Sequence, residues 1–193
     1  GVIIKTTNAG ESWAPLTSGT STALNSIYFT SATTGFISGN SGLILKTTDA
    51  GATWSTIPTG VTSTLYGFDF IDANTGFVVG SAGMILKTTD GGSTWTALTS
   101  RVTDEFRYIE FITPTRGIAI GGTLTRARIL LTTDGGSSWT SQINDLASRL
   151  YTGKFFDQNN GVAAGGVGRY YITTDGGSTW QKSTSPGTFT IYG

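Results

Sequence analysis

Short apolar runs alternate with polar turn residues along the whole chain. Each run is rich in β-branched or aromatic residues and is bounded by Gly, Asn, Asp, Ser or Thr, which is typical of β-strands joined by tight turns. No window has the 3.6-residue apolar period of an amphipathic helix. The pattern therefore predicts an all-β protein.

One eight-residue segment occurs five times, at residues 6–13, 47–54, 88–95, 132–139 and 173–180. Its copies end in the only tryptophans of the chain, which are Trp13, Trp54, Trp95, Trp139 and Trp180. Successive tryptophans are 41, 41, 44 and 41 residues apart. A fixed period near 40 residues indicates repeated units that bury their faces on one another.

Alignment on the tryptophans gives four predicted strands per repeat. The first strand is predicted at residues 24–29, 65–70, 106–111 and 150–155, and the second at residues 35–39, 76–80, 117–121 and 161–165. The third is predicted at residues 2–6, 43–47, 84–88, 128–132 and 169–173, and the fourth begins at each tryptophan. Four antiparallel strands in about 40 residues predict a β-propeller blade. Residues 1–193 are thus expected to form one propeller domain with an incomplete blade at each end.

The repeated segment lies on the turn between the third and fourth strands. At its third position an oxygen-bearing side chain can accept backbone N–H groups of the same turn, and the glycine two residues later permits positive φ. The residues at that third position are Asn8, Asp49, Asp90, Asp134 and Asp175. They could be taken for a row of catalytic acids, but every blade needs the same turn, so we interpret them as structural.

These residues carry a family resemblance. The pattern Thr-x-Asp-x-Gly-x-Thr-Trp, preceded by Gly-x-Ile-Leu-Lys-Thr, resembles the Asp-box or bacterial neuraminidase repeat. The long form is most similar to the photosystem II assembly factor-like propellers, which also occur in secreted bacterial proteins. The resemblance covers the whole chain and implies the fold. It leaves the function open, because sialidases, xyloglucan hydrolases, sortilin-type receptors and non-enzymatic propellers share the box.

Composition narrows the possible partners and compartments. The chain has 12 basic and 12 acidic residues, so no net charge would attract it to nucleic acid or to anionic lipid. Few charges and many Ser and Thr residues suit an extracellular, cell-surface or periplasmic protein. No apolar run is long enough for membrane insertion, and no signal peptide or initiator Met is present.

The register of the two ends leaves two alternatives open. Gly1 aligns with Gly42, and residues 191–193 align with residues 65–67, so the chain closes inside a first strand. We expect a fragment of a larger ring or longer polypeptide. The alternative is a nearly complete five-blade ring in which the termini share one blade.

The missing residue types argue against an enzyme. The chain has no His and no Cys, which excludes Ser-His-Asp and Cys-His catalysis, disulfides and the usual zinc sites, so neither cofactor nor metal is expected. The Arg-Ile-Pro motif of sialidases is absent. A glycosidase needs two facing carboxyl groups, and only Asp104, Glu105 and Asp145 are placed to supply them opposite the boxes.

The arginines are distributed unevenly. All seven lie between Arg101 and Arg169, and the antiparallel topology puts six of them on the face opposite the boxes, with Arg116 on the box side. The residues expected to share a groove there are Arg107, Arg128, Arg149, Tyr151 and Arg169. Guanidinium groups beside aromatic rings suit carboxylate, sulfate or peptide-terminus recognition. The alternative is a solvated rim with local ion pairs, such as Arg101 with Asp104 or Glu105.

Several residues beside that groove share one position in the repeat. Tyr66, Arg107, Tyr151 and Tyr192 occupy the same position in successive repeats, where the first unit has Asn25. The sequence thus favours a non-enzymatic extracellular or cell-surface binding or scaffolding module for a protein or an anionic glycan or peptide. A glycoside hydrolase of the sialidase or xyloglucanase class and an assembly factor for a membrane complex are the alternatives.

Overall fold

The computed structural model describes residues 1–185, 187 and 189–192. Its strands form one two-stranded and four four-stranded antiparallel sheets, each with its strands in chain order. The two-stranded sheet contains β1 (Ile3–Lys5) and β2 (Ala14–Leu16), and the next contains β3 (Leu24–Phe29), β4 (Gly35–Gly39), β5 (Ile44–Thr47) and β6 (Ser55–Ile57). The third contains β7 (Leu65–Phe70), β8 (Gly76–Gly80), β9 (Ile85–Thr88) and β10 (Thr96–Leu98). The fourth contains β11 (Glu105–Phe111), β12 (Gly117–Thr123), β13 (Arg126–Thr132) and β14 (Thr140–Asp145). The fifth contains β15 (Leu150–Phe155), β16 (Gly161–Gly165), β17 (Arg169–Thr173) and β18 (Gln181–Thr184).

This arrangement confirms the predicted all-β propeller, and we number the five sheets as blades 1 to 5. The single helical element in the described residues is a 3-10 turn at Gly166–Gly168, and no helix among them is long and apolar enough to cross a membrane. Ile191 and Tyr192, at the end of the chain, are not in a strand, and Gly193 of that predicted partial strand lies outside the described residues.

The strand boundaries differ from the predicted ones mainly at turns. In blades 2 and 3 the third strand begins one residue late, because Leu43 N–H and Met84 N–H donate to turn carbonyls instead of the ladder. The fourth strands begin one residue after each tryptophan. In blade 4 the ladder continues to Thr123 opposite Arg126, which shows that the three additional residues of this repeat lengthen the β12–β13 hairpin.

The core lies between neighbouring blades. The second strands are buried almost completely, because a strand lies on either side of each and neighbouring blades pack against their faces. Between blades 3 and 4, for example, Phe77 packs with Phe106, Ile109 and Leu130. Burying large side chains of this kind contributes roughly 1.5–3 kcal/mol each to stability. The stack of blades therefore holds the first strands side by side.

The Asp-box turns are closed by a repeated set of hydrogen bonds. In blade 3, the hydroxyl group of Thr88 donates to Asp90 Oδ1 over 2.8 Å, and Thr94 N–H donates to the same oxygen over 2.9 Å. The Thr94 hydroxyl group donates to Asp90 Oδ2. Equivalent bonds surround Asp49, Asp134 and Asp175. Asn8 accepts the same two bonds at Oδ1 and donates from Nδ2 to Ser12.

Two other positions of the box hold it against the rest of the propeller. Gly92 has a φ of 73°, and a Cβ there would come within 2.3 Å of the Phe36 ring in the preceding blade. Each box tryptophan of a four-stranded blade packs edge-on against the phenylalanine that ends its own first strand. Trp95 and Trp139 are buried and Trp54 and Trp180 half-buried. Trp13, whose sheet has two strands in the described residues, lacks that phenylalanine and is 56% exposed.

A cation from each of blades 1 to 4 also binds the box of the following blade. Lys5, Lys46 and Lys87 each donate from Nζ to a box carbonyl, over 2.7, 2.7 and 2.8 Å respectively. Blade 4 has Leu131 at this position, and Arg116 from its strand one–two turn donates instead to the Asp175 carbonyl over 3.1 Å. Arg116 therefore has a structural contact at the box end, and the other arginines lie towards the opposite end.

Candidate functional site

A cleft of about 210 Å³ lies where the first strands begin. Its walls include one repeat position near the start of every first strand, together with Tyr192, which has the same repeat offset. The lining residues are Asn25, Ser26, Tyr66, Gly67, Arg107, Tyr151 and Tyr192. We call this the first-strand cleft. Neighbouring blades place one repeat position around a common opening, so any residue that departs from the repeat there faces the cleft.

Arg107 lies between two aromatic rings of the cleft. Its guanidinium carbon is 4.2 Å from the centroid of the Tyr66 ring and 5.9 Å from that of Tyr151. Its Nε donates to Glu105 Oε1 over 2.5 Å, which holds the planar group in place. About a third of the Arg107 side chain remains exposed, so it can meet a ligand. Cation–π contacts and a single carboxylate therefore pre-position this guanidinium group.

Arg149 approaches from the neighbouring blade and shares the same acid. Its Nη1 donates to Glu105 Oε1 over 2.9 Å, and its Nε donates to the Gly122 carbonyl over 3.3 Å. Its guanidinium carbon lies 6.0 Å from the Tyr151 ring. Two guanidinium groups thus surround one carboxylate, which leaves one positive charge uncompensated within this group. Such a pair suits a carboxylate or another oxyanion.

The remaining walls of the cleft are aromatic and polar. The rings of Tyr151 and Tyr192 are 4.9 Å apart at 50°. Asn25 is held by bonds from Nδ2 to the Leu65 carbonyl, over 2.9 Å, and to Asn40, over 3.1 Å. Burial, with a smaller contribution from Glu105, raises the pKa of Tyr66 above 10.0, so its hydroxyl group stays protonated at neutral pH. The cleft therefore offers cationic and neutral donors to a ligand.

Arg128 differs from the prediction of a common groove. Its side chain is 7% exposed and forms an ion pair with Asp104, from Nη2 to Oδ2 over 3.0 Å and from Nε over 3.1 Å. Nη1 also donates to Ser141. The sequence placed Arg128 at the correct end of the blade, opposite the boxes. Its burial was not predicted, because the acid that neutralises it comes from the preceding connection. Arg128 is a core residue and does not line the cleft.

Arg169 also lies outside the cleft lining. It is half-buried beside Asp145, whose pKa is lowered by hydrogen bonds from Lys182 and Tyr171 and less strongly by the charge of Arg169. Arg101 is exposed, and in the described residues the partners of Asp104 and Glu105 are Arg128, Arg107 and Arg149 instead. Of the predicted set, the structure thus brings together Arg107, Arg149 and Tyr151.

Comparison with known proteins identifies the family. The family model described as photosynthesis system II assembly factor YCF48 matches residues 52–150, about half of the chain. A BNR/Asp-box repeat model matches residues 171–182. The chain belongs to the YCF48 family. No curated protein matches its sequence.

Solved structures support the fold of this YCF48-family chain. It is similar to a structure described as YCF48 bound to D1 peptide, with 19% identity, a TM-score of 0.60, and coverage of 94% of this chain and 75% of the other. YCF48 from Cyanidioschyzon merolae is 18% identical, with a TM-score of 0.66 and coverage of 86% of this chain and 57% of the other. The GH74 enzyme of Niastella koreensis is 17% identical, with a TM-score of 0.73 and coverage of 95% of this chain and 34% of the other. The chain thus spans about half to three quarters of the YCF48 structures and a third of the GH74 enzyme.

A second polar group in this YCF48-family chain was not predicted from the sequence. It lies near the other end of the first strands, where Asp69 Oδ2 accepts Phe111 N–H over 2.5 Å and Glu110 Oε2 accepts Phe155 N–H over 3.0 Å. Lys154 donates to Glu110 Oε1 over 2.6 Å. Burial, and secondarily the charge of Glu110, raises the pKa of Asp69 above 3.8. The shared repeat offset of Asp69, Glu110 and Lys154 was the signal that could have revealed this group.

These two carboxylates have a structural explanation. The first strand of a blade has a neighbour in its own sheet on one side only, so N–H groups along its free edge need other partners. Asp69 and Glu110 supply those partners to the first strand of the following blade. Both Glu110 oxygens are already bonded, one of them also to the Tyr108 hydroxyl group. The group therefore ties adjacent first strands together.

Proposed function

We propose that this chain is a non-enzymatic binding module that holds an acidic segment of a protein partner in the first-strand cleft. The observation that carries the proposal is the pair of guanidinium groups of Arg107 and Arg149 around the single carboxylate of Glu105. Stacked tyrosine rings fix these groups and leave Arg107 about one third exposed. A carboxylate from a partner could bind both arginines and would compensate the remaining positive charge.

Family membership supports a protein as the partner. The description of one similar structure, YCF48 bound to D1 peptide, records that protein with a peptide. An assembly factor for a membrane complex is therefore an equally suitable role, in which the acidic segment belongs to a subunit of that complex. Low charge and a Ser/Thr-rich composition favour a location at the cell surface or outside the cell.

Glycoside hydrolysis is a second candidate because the fold is shared with GH74 enzymes. Such chemistry needs one carboxylic acid and one free carboxylate facing each other across a substrate. Here Asp104 is buried against Arg128, Glu105 lies between two arginines, and Asp145 binds Lys182 and Tyr171. These contacts favour the binding module. We expect no sugar release from sialosides or β-glucans, and turnover that is lost in Glu105→Gln would instead establish the enzyme.

Binding can be tested with a fluorescent peptide that ends in two aspartates. We expect Arg107→Gln and Arg149→Gln each to weaken binding at least tenfold in fluorescence anisotropy, because each removes a charge-assisted hydrogen-bond donor. Arg101→Gln is the matched control, since this exposed arginine lies on the same face outside the cleft lining. Raising the salt concentration should weaken binding to the unmodified protein. Equal affinities for all four proteins would exclude the cleft as the binding site.

A further inference from the structure

The β12–β13 hairpin of blade 4 extends further than its counterparts. In blades 2 and 3 three residues, 40–42 and 81–83, separate the last glycine of the second strand from the predicted start of the third strand. In blade 4 six residues, 122–127, separate the equivalent positions Gly121 and Arg128. The additional residues continue the ladder to Thr123 opposite Arg126, so Leu124 and Thr125 form a two-residue tip. The repeat thus lengthens only here, at the end of the blade that contains the first-strand cleft.

Two exposed leucines lie at this end of blade 4. Leu124 at the hairpin tip is 75% exposed, and Leu146, which follows β14, is 80% exposed. Neither belongs to an apolar cluster of the described core. Two large apolar side chains held in water contribute nothing to packing, and apolar surface rimmed by polar residues is a mark of binding sites.

The strand register connects the leucines to the cleft. Gly122 pairs with Glu105 on one side and with Ala127 on the other, and its carbonyl accepts the bond from Arg149. Leu124 is two residues beyond Gly122, or about 7 Å at roughly 3.3 Å per residue. Leu146 follows Asp145, the partner of Ala127, and is thus about 10 Å from β12, two strand spacings away. The leucines therefore continue the cleft wall outward along the end of the blade.

The charge of this end suits an acidic partner. Six arginines and Lys182, which binds Asp145, lie near it with three acids, Asp104, Glu105 and Asp145, which leaves an excess of four positive charges on a chain with no net charge. The arginines are Arg101, Arg107, Arg126, Arg128, Arg149 and Arg169. A segment that runs outward along blade 4 from an acidic residue held by Arg107 and Arg149 would bring its neighbouring residues over the hairpin, because an extended chain advances about 3.3 Å per residue.

We infer that the β12–β13 hairpin and Leu146 form an apolar extension of the first-strand cleft. The partner is an extended peptide with an acidic anchor in the cleft and leucine-like residues two to four positions away from it. This inference rests on the proposed function and adds the apolar requirement to it. The acidic residue alone determines which part of the peptide binds in the cleft. The spacing of the apolar residues then determines which acidic segments bind tightly.

The test compares two fluorescent seven-residue peptides by anisotropy. One ends in two aspartates and carries leucines two and four positions before the first of them, and the other has serines in place of the leucines. Both are also synthesised in reversed order, because the cleft does not fix the chain direction. We expect the leucine peptide to bind the unmodified protein at least tenfold more tightly in one order, which is less than the full effect of burying two leucines.

The variant Leu124→Ser with Leu146→Ser should bind both peptides equally, at the affinity of the serine peptide. Phe156→Ser is the matched control, because Phe156 is 73% exposed but follows β15 at the box end. The inference is overturned if the two peptides bind the unmodified protein equally in both orders. It is also overturned if the leucine preference survives in the double variant. Failure of every acidic peptide to bind the unmodified protein would overturn the proposed function itself, and this inference with it.

Discussion

The buried ion pair between Asp104 and Arg128 gives the sharpest test of which arginines bind a partner and which stabilise the fold. Arg128→Met removes every donor that reaches Asp104 Oδ2 in the described residues, and Asp104 Oδ1 already has no partner there. Both side chains are less than a tenth exposed. The substitution therefore leaves a buried carboxylate without compensation, whereas loss of an exposed arginine would be almost neutral.

The size of the effect follows from this burial. Removing one partner of a buried ion pair typically costs about 3–5 kcal/mol, because the remaining charge is desolvated and unpaired. For a domain of 150–250 residues, 1 kcal/mol lowers the Tm by about 2–4 °C. Arg128→Met should thus lower the Tm by roughly 6–20 °C. Met fills much of the same volume, so little of this loss would come from a cavity.

The repeat itself supplies the compensating control. Blade 3 has Met84 at the position of Arg128, and Ser63 at the position of Asp104. Gly42 N–H donates to the Ser63 carbonyl as Gly83 N–H does to that of Asp104, so both connections have the same backbone contact. Combining Arg128→Met with Asp104→Ser copies the blade 3 pair and removes both charges. We expect this double variant to have a free energy of unfolding within about 1 kcal/mol of the unmodified protein.

Urea unfolding followed by tryptophan fluorescence measures the unmodified protein, Arg128→Met, Asp104→Ser and the double variant, and together the four yield the coupling between the two residues. Peptide anisotropy on the same samples, under folding conditions, tests for a role in binding. We expect a large loss of stability in Arg128→Met, recovery in the double variant, and unchanged peptide affinity in both. The reasoning would be refuted if Arg128→Met unfolded at the same urea concentration as the unmodified protein but no longer bound the peptide.

Two other predictions concern the contacts that every blade repeats. Lys87→Met should destabilise the protein by about 1–3 kcal/mol in urea unfolding, because Nζ donates to the Gly135 carbonyl over 2.8 Å and lies 5.3 Å from the Phe77 ring; an unchanged midpoint would contradict this. Hydrogen bonds, chiefly from the Thr94 side chain and backbone, lower the pKa of Asp90 from 3.8 to about 2. The stability that this carboxylate contributes is therefore present above pH 4 and lost as the pH falls towards 2. Thermal melts between pH 5 and 2 should show a shallower decline for Asp90→Asn than for the unmodified protein, and identical pH profiles would contradict the assignment.

The scaffold could be predicted in detail because each blade solves the same physical problem. The second strands are largely buried and read as Gly-bounded apolar runs, so their start was evident in four repeats and their end in three; in blade 4 the strand continues beyond its glycine to Thr123. The Asp-box turn needs an oxygen acceptor, a glycine at positive φ and an aromatic cover, and these residue types recur at fixed spacing. The repeats serve the purpose of an alignment of homologous sequences, because five copies in one chain reveal which positions the fold requires.

The departures from the repeat were harder to interpret. Arg128 and Arg149 both appeared to be surface arginines near the connections, yet Arg128 is buried, whereas Arg149 shares Glu105 with Arg107 of the cleft wall. What separates them is the position of an acid on a neighbouring segment, Asp104 for the first and Glu105 for the second. Adjacent residues in the sequence thus neutralise arginines at different depths. A repeat offset gives the position of a residue along the blade but not its burial. Burial depends on the partners that packing brings near.

The first strands show how one scaffold position can have two different roles. Near the box end, Asp69 and Glu110 accept N–H groups of the following blade, so polar residues there satisfy the backbone of the innermost strands. At the opposite end, one repeat position near the start of each first strand varies among Asn25, Tyr66, Arg107 and Tyr151 and meets the open cleft. Of these four side chains, only that of Asn25 donates to the backbone of a neighbouring blade in the described residues. Because packing requires little of the other three, these positions can vary without changing the fold. The binding specificity of such a propeller is therefore expected to reside in the residues that depart from the repeat around the cleft, including the lengthened hairpin of blade 4.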